Sequence, residues 1–370
     1  MAVYRLYPEA DTFITTFKSE SNAGIDEIVE LASFPNKILK GESSRILVKF
    51  KHTEIVSTLD NVVGSAFSSS INYSLADATE LAETVSVYAW PLAQSFTKGV
   101  GKIDDIPTDR SGVTWKHRNK NRSDAWQLSV LAANTTGSYS GSLIGGGVWF
   151  TGSNNVELET TSSFIYSDSK DLEINVTEAV KLHYSSSISN NGFVIKLDDD
   201  LEFETTSSLK LQYFSENTNT IYRPYLEFKW DDSSFNTGSN SILDTDKATI
   251  DINNNSGEYI NSGKKRFRVT SKPKYPTRTF STGSIYKTNF AMPSGSFYAI
   301  QDEFTGEKII DFDTTFTKLS CDSNGSFFDL YLSNLEPERY YKVLISSSLD
   351  GSDVIIDNDN IFKVVKNGWN

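Results

Sequence analysis

The chain is 370 residues long, 38% hydrophobic and 12% aromatic, with 35 basic against 48 acidic side chains and a net charge of -13. That length exceeds one ordinary core, so two or three domains are expected. The acidic balance speaks against a nucleic-acid partner, because phosphate binding needs a basic footprint. The single cysteine, Cys321, excludes an intrachain disulfide framework. No run approaches the ~18 consecutive apolar residues that cross a bilayer, so no membrane partner is expected, and residues 1–10 lack the charged and then apolar pattern of a Sec export signal.

Short apolar runs separated by Ser, Thr, Asn and Asp predict an all-β chain built from sandwiches. Residues 3–7 open with a strand pattern, 11–17 continue it after Pro8, and 28–31 and 45–50 follow. A short helix starts at His52, and residues 72–88 read as a strand pair or one interrupted strand. From 89 to 153 the periodicity lapses; a connection this long inside a compact domain is usually a functional or interaction loop. Residues 171–184 give a strand and then one or two helical turns with Thr177 as N-cap, and 192–197 form another strand. From Leu226 to Trp230 apolar and charged residues alternate, placing Leu226, Phe228 and Trp230 on one face and Glu227 and Lys229 on the other. Pro224 fits the entrance of that strand, and the Asp231-Asp-Ser-Ser stretch after it is linker composition.

The expected division is therefore a first domain over 1–232, a linker over 233–246 and a second sandwich over 247–370. In the last, residues 248–252 and 264–271 read as strands, and two more flank Leu335-Glu-Pro337. A strand, Leu-x-Pro, and then Tyr340 or Tyr341 opening an alternating strand resembles the tyrosine corner of immunoglobulin-like and fibronectin-type sandwiches.

Motifs that carry chemistry are missing or incomplete. Gly101-Lys102 and Gly263-Lys264 lack the upstream glycine of a phosphate-binding loop. Gly145-Gly-Gly147 precedes no helix pattern and reads as room for tight backbone packing beside Trp149. Asp251-Ile-Asn-Asn-Asn-Ser-Gly257 begins like a calcium loop, but Ser256 and Ser262 stand where a glycine and a bidentate acid are required, so a turn is expected. Asp198-Asp-Asp200 reads as an acidic hairpin turn. His52, His117 and His183 are too scattered for a zinc centre, and no Gly-x-Ser-x-Gly elbow occurs. No catalytic residue, metal or cofactor is expected.

Two residue groups remain as candidate contacts. Trp90, Trp115, Trp126 and Trp149 all fall in the irregular region, where they either anchor loops or, as a platform of Tyr88, Trp90 and Trp115, stack a glycan. The basic residues Lys116, Arg118, Lys120 and Arg122, and the second cluster Lys264, Lys265 and Arg266, are candidate protein contacts for acidic surfaces or else ordinary solvated loops.

Taken in order, Tyr7-Pro-Glu-Ala-Asp-Thr-Phe-Ile14, Asn22-Ala-Gly24, Ser44-Arg-Ile-Leu-Val-Lys-Phe50, Val85-Ser-Val-Tyr88, Gly112-Val-Thr-Trp115, Leu172-Glu-Ile-Asn-Val-Thr177, Asn191-Gly-Phe-Val-Ile195 and the stretch from Phe214 through Leu226 resemble the DNRLRE domain. That domain is a β jelly roll related to carbohydrate-binding modules, and the likeness covers residues 1–232. The long insert and the Ser215-Glu-Asn217 closing turn depart from it. Gly99-Val-Gly-Lys102, Gly112-Val-Thr-Trp115, Gly145-Gly-Gly-Val-Trp149 and the run from Thr218 to Asp232 are similar to virion structural proteins of contractile-tailed, T4-like bacteriophages. The resemblance implies a non-enzymatic component of the tail, neck or baseplate region, located in the virion after synthesis in the host cytoplasm. Its partners would be other virion proteins, with several copies in a symmetric assembly and a C-terminal immunoglobulin-like sandwich as a docking module. The alternative is a carbohydrate-binding module for host receptor attachment. A depolymerase would need a catalytic domain for which little chain remains after residue 232.

Overall fold

A computed structural model describes residues 2–35, 42–63, 66–79, 84–119, 124–126, 135–137, 145–153, 156–165, 167–169, 171–202, 208–276 and 289–366. The chain is all-β, with three short α-helices among the described residues, and divides into two compact units: Leu6–Glu227, and Met1–Arg5 together with Phe228–Asn370. Among the described residues no helix is long and apolar enough to cross a membrane.

Sixteen strands run through residue 230: β1 Ala2–Leu6, β2 Ala10–Thr15, β3 Ile28–Phe34, β4 Glu42–Lys49, β5 Ser68–Tyr73, β6 Leu75–Thr79, β7 Thr84–Pro91, β8 Thr135–Gly137, β9 Val148–Phe150, β10 Gly152–Ser153, β11 Val156–Glu157, β12 Thr160–Ile165, β13 Leu172–Asn175, β14 Phe193–Leu197, β15 Leu209–Phe214 and β16 Tyr225–Trp230. Twelve of them form a jelly-roll sandwich, while β8 with β9 and β10 with β11 make separate two-stranded ribbons. One sheet has the order β1-β16-β5-β13; the other runs β12-β7-β14-β4-β3-β15-β6, with β2 also paired to β4. β4 turns a corner: its first residues pair with β3, at Ser43↔Ser33, and the rest with β2 and β14. Helix α1, His52–Thr58, lies where the sequence placed a helix.

Helix α2 spans Thr177–Tyr184 and begins one residue earlier than a Thr177 cap requires, with Val176 in the cap position. The Thr177 hydroxyl accepts the Ser69 N–H at 2.8 Å, and Asn175 Oδ1 accepts the Thr177 N–H at 3.0 Å, so Asn175 supplies the local oxygen that the sequence assigned to Thr177. The acidic run after Leu197 is a one-turn helix, α3 Asp199–Glu202, rather than a hairpin turn. Its turn carries Glu202 inward, against Lys196 of β14 and Arg45 of β4.

The second unit adds β17 Ala248–Ile252, β18 Glu258–Ile260, β19 Lys264–Pro273, β20 Phe297–Asp302, β21 Lys308–Ile310, β22 Ser320–Asp322, β23 Gly325–Tyr331, β24 Arg339–Leu349, β25 Ser352–Ile356 and β26 Ile361–Val365. Two sheets, β17-β19-β23-β22 and β18-β26-β24-β20-β21, make an immunoglobulin-like sandwich, with β18 running parallel to β26 and β25 pairing with β24. Their inner faces pack Phe267, Phe328, Tyr298, Tyr341 and Phe362 into one core, where the Tyr298 and Phe328 rings stack 4.3 Å apart. The Tyr341 hydroxyl, at the start of β24, donates to the Glu336 carbonyl at 2.9 Å across the Leu335-Glu-Pro337 corner. This is the tyrosine-corner geometry, and it selects Tyr341 over the half-exposed Tyr340. Asn254 and Asn255 bond the backbone of Arg266, Arg268, Ile361 and Gly257, so the calcium-like stretch is a turn. The N-terminal segment belongs to this unit: Arg5 N–H donates to Asn334 Oδ1 at 3.0 Å.

Candidate functional site

The strongest departure from an ordinary jelly roll is the outer face of the sheet β7-β14-β4-β2. Register places Trp90 beside Val194, Val194 beside Leu47, Lys196 beside Tyr88, and Ile14 beside Arg45, so these residues share one face by alternation. A sandwich usually leaves that face to water, yet all five residues of β14 are buried. Residues of the insert cover it: Val113, Trp115, Trp126, Val148 and Trp149 pack with Ile14, Leu47, Trp90, Leu92 and Val194 into a second apolar cluster. A sheet buried on both faces needs apolar residues on both, which is why β14, Phe-Val-Ile-Lys-Leu, and the Ile46-Leu-Val48 stretch of β4 are apolar without alternation.

Two cations are buried inside that cluster. The Arg45 side chain is 0% exposed and forms a bidentate pair with Glu202, also 0%, at 2.5 and 3.1 Å; its third nitrogen donates to the Gly146 carbonyl at 2.6 Å. Lys196 reaches Glu202 at 3.1 Å and also Asp199. Indole faces complete the surroundings: Arg45 lies 4.8 Å from the Trp115 ring and 5.2 Å from Trp149, and Lys196 5.2 Å from Trp90. The glycine run has a defined part here. A Cβ on Gly145, at φ +131°, would lie 2.1 Å from the Trp115 carbonyl oxygen, and one on Gly146 would lie 2.6 Å from the Arg45 guanidinium. Gly145-Gly-Gly147 therefore permits tight packing, chiefly against Trp115 and Arg45.

The first half of the insert is tied down at Asn22, whose side chain is fully buried. Its Nδ2 donates to the carbonyls of Lys98 and Val113, both at 2.8 Å, while Oδ1 accepts the N–H of Gly24 at 3.1 Å and of Gly101 at 2.9 Å. Every bonding position of the amide is used. The backbones approach so closely that a Cβ on Gly24 would lie 2.5 Å from the Gly99 carbonyl oxygen, and one on Gly112 2.4 Å from the Gly99 Cα. Three of the motif stretches read from the sequence, at 22–24, 99–102 and 112–115, thus meet at one side chain. Between them the loops expose Phe17 at 68%, Ile25 at 39%, Val100 at 66% and Ile106 at 97%. The loops are joined by one backbone bond, Ile25 N–H to Gly101 O, and by two side-chain bonds, Lys18 Nζ to Ile103 O and Ile103 N–H to Asp26 Oδ2. Apolar side chains are held toward solvent on a pre-arranged backbone, a geometry suited to contact with another surface.

A third tie joins β2, the insert and the closing turn. Asp11 accepts the Glu216 N–H at 2.8 Å, and Lys98 reaches Glu216 at 3.0 Å and Asp11 at 3.7 Å. Burial pushes the Asp11 carboxyl up to about 6, against the lowering effect of the Glu216 N–H and of Lys98. His183 on α2 is likewise enclosed, edge-on to Phe193 at 5.5 Å, and burial lowers it to about 4. Among the described residues no group of three His, Cys, Asp or Glu could hold a metal ion.

The sequence-derived candidates fall as follows. Trp115 is 1% exposed and Trp90 6%, so their rings are anchors and cannot stack a sugar; Tyr88 is partly exposed but lies flat on Trp90 at 5.4 Å. Lys116 pairs with Glu20 at 3.5 Å and Arg118 with Asp124 at 4.0 Å; Lys120 and Arg122 lie outside the described residues. On β19, Arg266 is bidentate to Asp329 at 2.8 and 2.9 Å, Lys264 meets Asp329 at 3.0 Å, and Lys265 lies over the Tyr259 ring at 5.2 Å. Neighbouring acids and rings of the same unit thus meet the charges of both described clusters, and neither is an uncompensated basic patch. Sequence reading did not single out Arg45, Lys196, Glu202, Asn22 or Asp11. A lysine inside Phe-Val-Ile-Lys-Leu and an arginine ahead of Ile-Leu-Val were the available signals, since a charge in such a run must find a buried partner.

No family model matches the chain, and no curated protein matches it. Among solved structures, the comparison returns the tripod (BppUct-A-L) from the baseplate of bacteriophage Tuc2009, 10% identical, covering 98% of this chain and 91% of that chain with a TM-score of 0.17. At that score no argument rests on the likeness.

Proposed function

We propose that this chain is a non-enzymatic structural protein of a bacteriophage virion, in the tail, neck or baseplate region, joining or decorating neighbouring components. The observation that carries this reading is the use of the polar and aromatic side chains where the insert meets the sandwich. Arg45, Lys196, Glu202, Asn22 and the tryptophans are spent on fixing the insert to the sandwich, while Phe17, Ile25, Val100 and Ile106 are left exposed on the loops so fixed. Rigid loops with exposed apolar tips serve association, because little ordering cost remains when a partner docks. The ordered resemblance of residues 1–232 to DNRLRE jelly rolls, and of its glycine-rich stretches to virion proteins of contractile-tailed phages, supplies the biological setting. Multiple copies in a symmetric assembly, with the immunoglobulin-like unit as a docking module, belong to the same proposal.

The test compares surface labelling of the free chain with that of particles containing it. Residues 99–110 are expected to lose labelling on assembly, and Ile106→Asp to reduce incorporation without lowering the melting temperature. Equal labelling in both states, with normal incorporation of Ile106→Asp, would refute the reading.

A further inference from the structure

Phe304 stands in the turn between β20 and β21 of the immunoglobulin-like unit and is 93% exposed. A single apolar residue at the surface is ordinary; this one is held out by groups that are themselves buried. Asp302 is almost wholly enclosed. Its Oδ1 accepts the N–H of Phe304 at 3.0 Å and of Thr305 at 2.9 Å, and its Oδ2 accepts Arg339 Nε at 2.6 Å. The backbone closes around that carboxylate. Gly306 N–H donates to Asp302 O at 2.9 Å, Asp302 N–H to Glu307 O at 2.8 Å, and Glu303 N–H to Tyr340 O of β24 at 3.0 Å. Gln301 Nε2 donates to the Gly306 carbonyl at 2.6 Å. A turn so fixed has little freedom left to lose, so a partner that takes up Phe304 meets little ordering cost.

The charge around the tip is one-sided. Lys342 of β24 faces three carboxylates, Glu303 and Asp357 at 3.3 Å and Asp359 at 3.2 Å, which ties the Phe304 turn to the turn between β25 and β26. Lys308 is matched by Asp311 at 2.8 Å and Arg339 by Asp302, while Glu307 adds a further acid. The half-exposed Tyr340 shares the outer face of β24 with Lys342.

We propose that Phe304 is a docking anchor that enters an apolar pocket, rimmed by lysine and arginine, on a partner protein. The tip projects, whereas sites that receive sugars and other small ligands are concave. Its acidic collar is repelled by nucleic-acid phosphates, by anionic lipid and by a second copy of a chain at -13, and is matched by a basic rim. An aromatic side chain at the centre with charge around it is the usual anatomy of a protein contact. The inference rests on the virion reading for its setting, and assigns the immunoglobulin-like unit a contact separate from the loops at 99–110.

The test uses the full chain with a photoreactive benzoylphenylalanine in place of Phe304, incorporated into particles and irradiated. One adduct with a different virion protein is expected, through a peptide that carries lysine or arginine. Phe304→Ala should reduce incorporation by about tenfold or more, Phe304→Leu should retain most of it, and Glu307→Lys should lower it. All three variants should keep the wild-type melting temperature, because both side chains stand in water. Normal incorporation of Phe304→Ala, indifference to Glu307→Lys, absence of an adduct, or an adduct with nucleic acid, lipid or another copy of this chain would overturn the anchor and leave the reading of residues 99–110 standing. Absence of the wild-type chain from particles would overturn both.

Discussion

Two clusters in this chain are built from the same parts, arginine, lysine, carboxylate and aromatic ring, and differ in their access to water. Beneath the insert, Arg45, Lys196 and Glu202 are sealed among indole rings, with Arg45 and Glu202 both 0% exposed. On the outer face of β19 and β23, Arg266 lies 4.0 Å over the Phe327 ring and pairs with Asp329, and Arg268 pairs with Asp322, but Arg266 remains 47% exposed. The first cluster fixes a long insert onto a sheet face. The second decorates a face that the strand ladder already holds. Burial, rather than the number of ion pairs, therefore decides which cluster the fold depends on.

Mutations can break that contrast, beginning with the largest effect. Glu202→Gln leaves two buried cations short of a counter-charge and should cost ~3–5 kcal/mol in a denaturant titration. Asn22→Leu removes two donors and two acceptors from buried backbone groups, and a loss of ~2–4 kcal/mol is expected. Tyr341→Phe deletes one corner hydrogen bond, for about 1 kcal/mol. Asp329→Asn, despite its two basic partners, should cost no more than ~1 kcal/mol, because Lys264 and Arg266 remain in contact with water. A loss from Asp329→Asn equal to that from Glu202→Gln would remove the distinction between the clusters.

The smallest effect is a cancellation. Asp11 titrates near 6 when folded against 3.8 when free, so between these values the folded chain holds a proton that the unfolded chain releases, and falling pH stabilises the fold. His183 titrates near 4 against 6.5, so the unfolded chain takes the extra proton and falling pH destabilises the fold. The two slopes oppose each other between about pH 4 and 6. Asp11→Asn should make stability fall more steeply with acid in that window, and His183→Leu should make it rise or level off. Thermal melts of both variants from pH 4 to 7 measure this, and identical slopes would contradict the assignments.

The strands were legible because their signals are local. Alternation from Leu226 to Trp230, the β19 run and the Leu335-Glu-Pro337 corner each fix a strand or turn within a few residues. The insert was legible only as a lapse in periodicity. Its order comes from contacts across the chain, Asn22 to Val113 and Arg45 to Gly146, and spacing does not encode them. For the same reason Trp115 offered no sign of whether it faced water or Arg45, and the acidic run after Leu197 did not show that Glu202 would complete a buried pair. The basic clusters were visible as charge, but the acids that answer them lie on other strands, as Asp329 does for Arg266.

Native-state hydrogen exchange tests most directly the claim that the insert is a fixed part of the sandwich. The amides of Gly101, Val113 and Gly146, bonded to Asn22, Thr97 and Trp115 respectively, should exchange in the wild type as slowly as those of β14. In Glu202→Gln they should be released by local opening before the sheet amides are. Fast exchange at these three positions in the wild type, with β14 protected, would contradict the account.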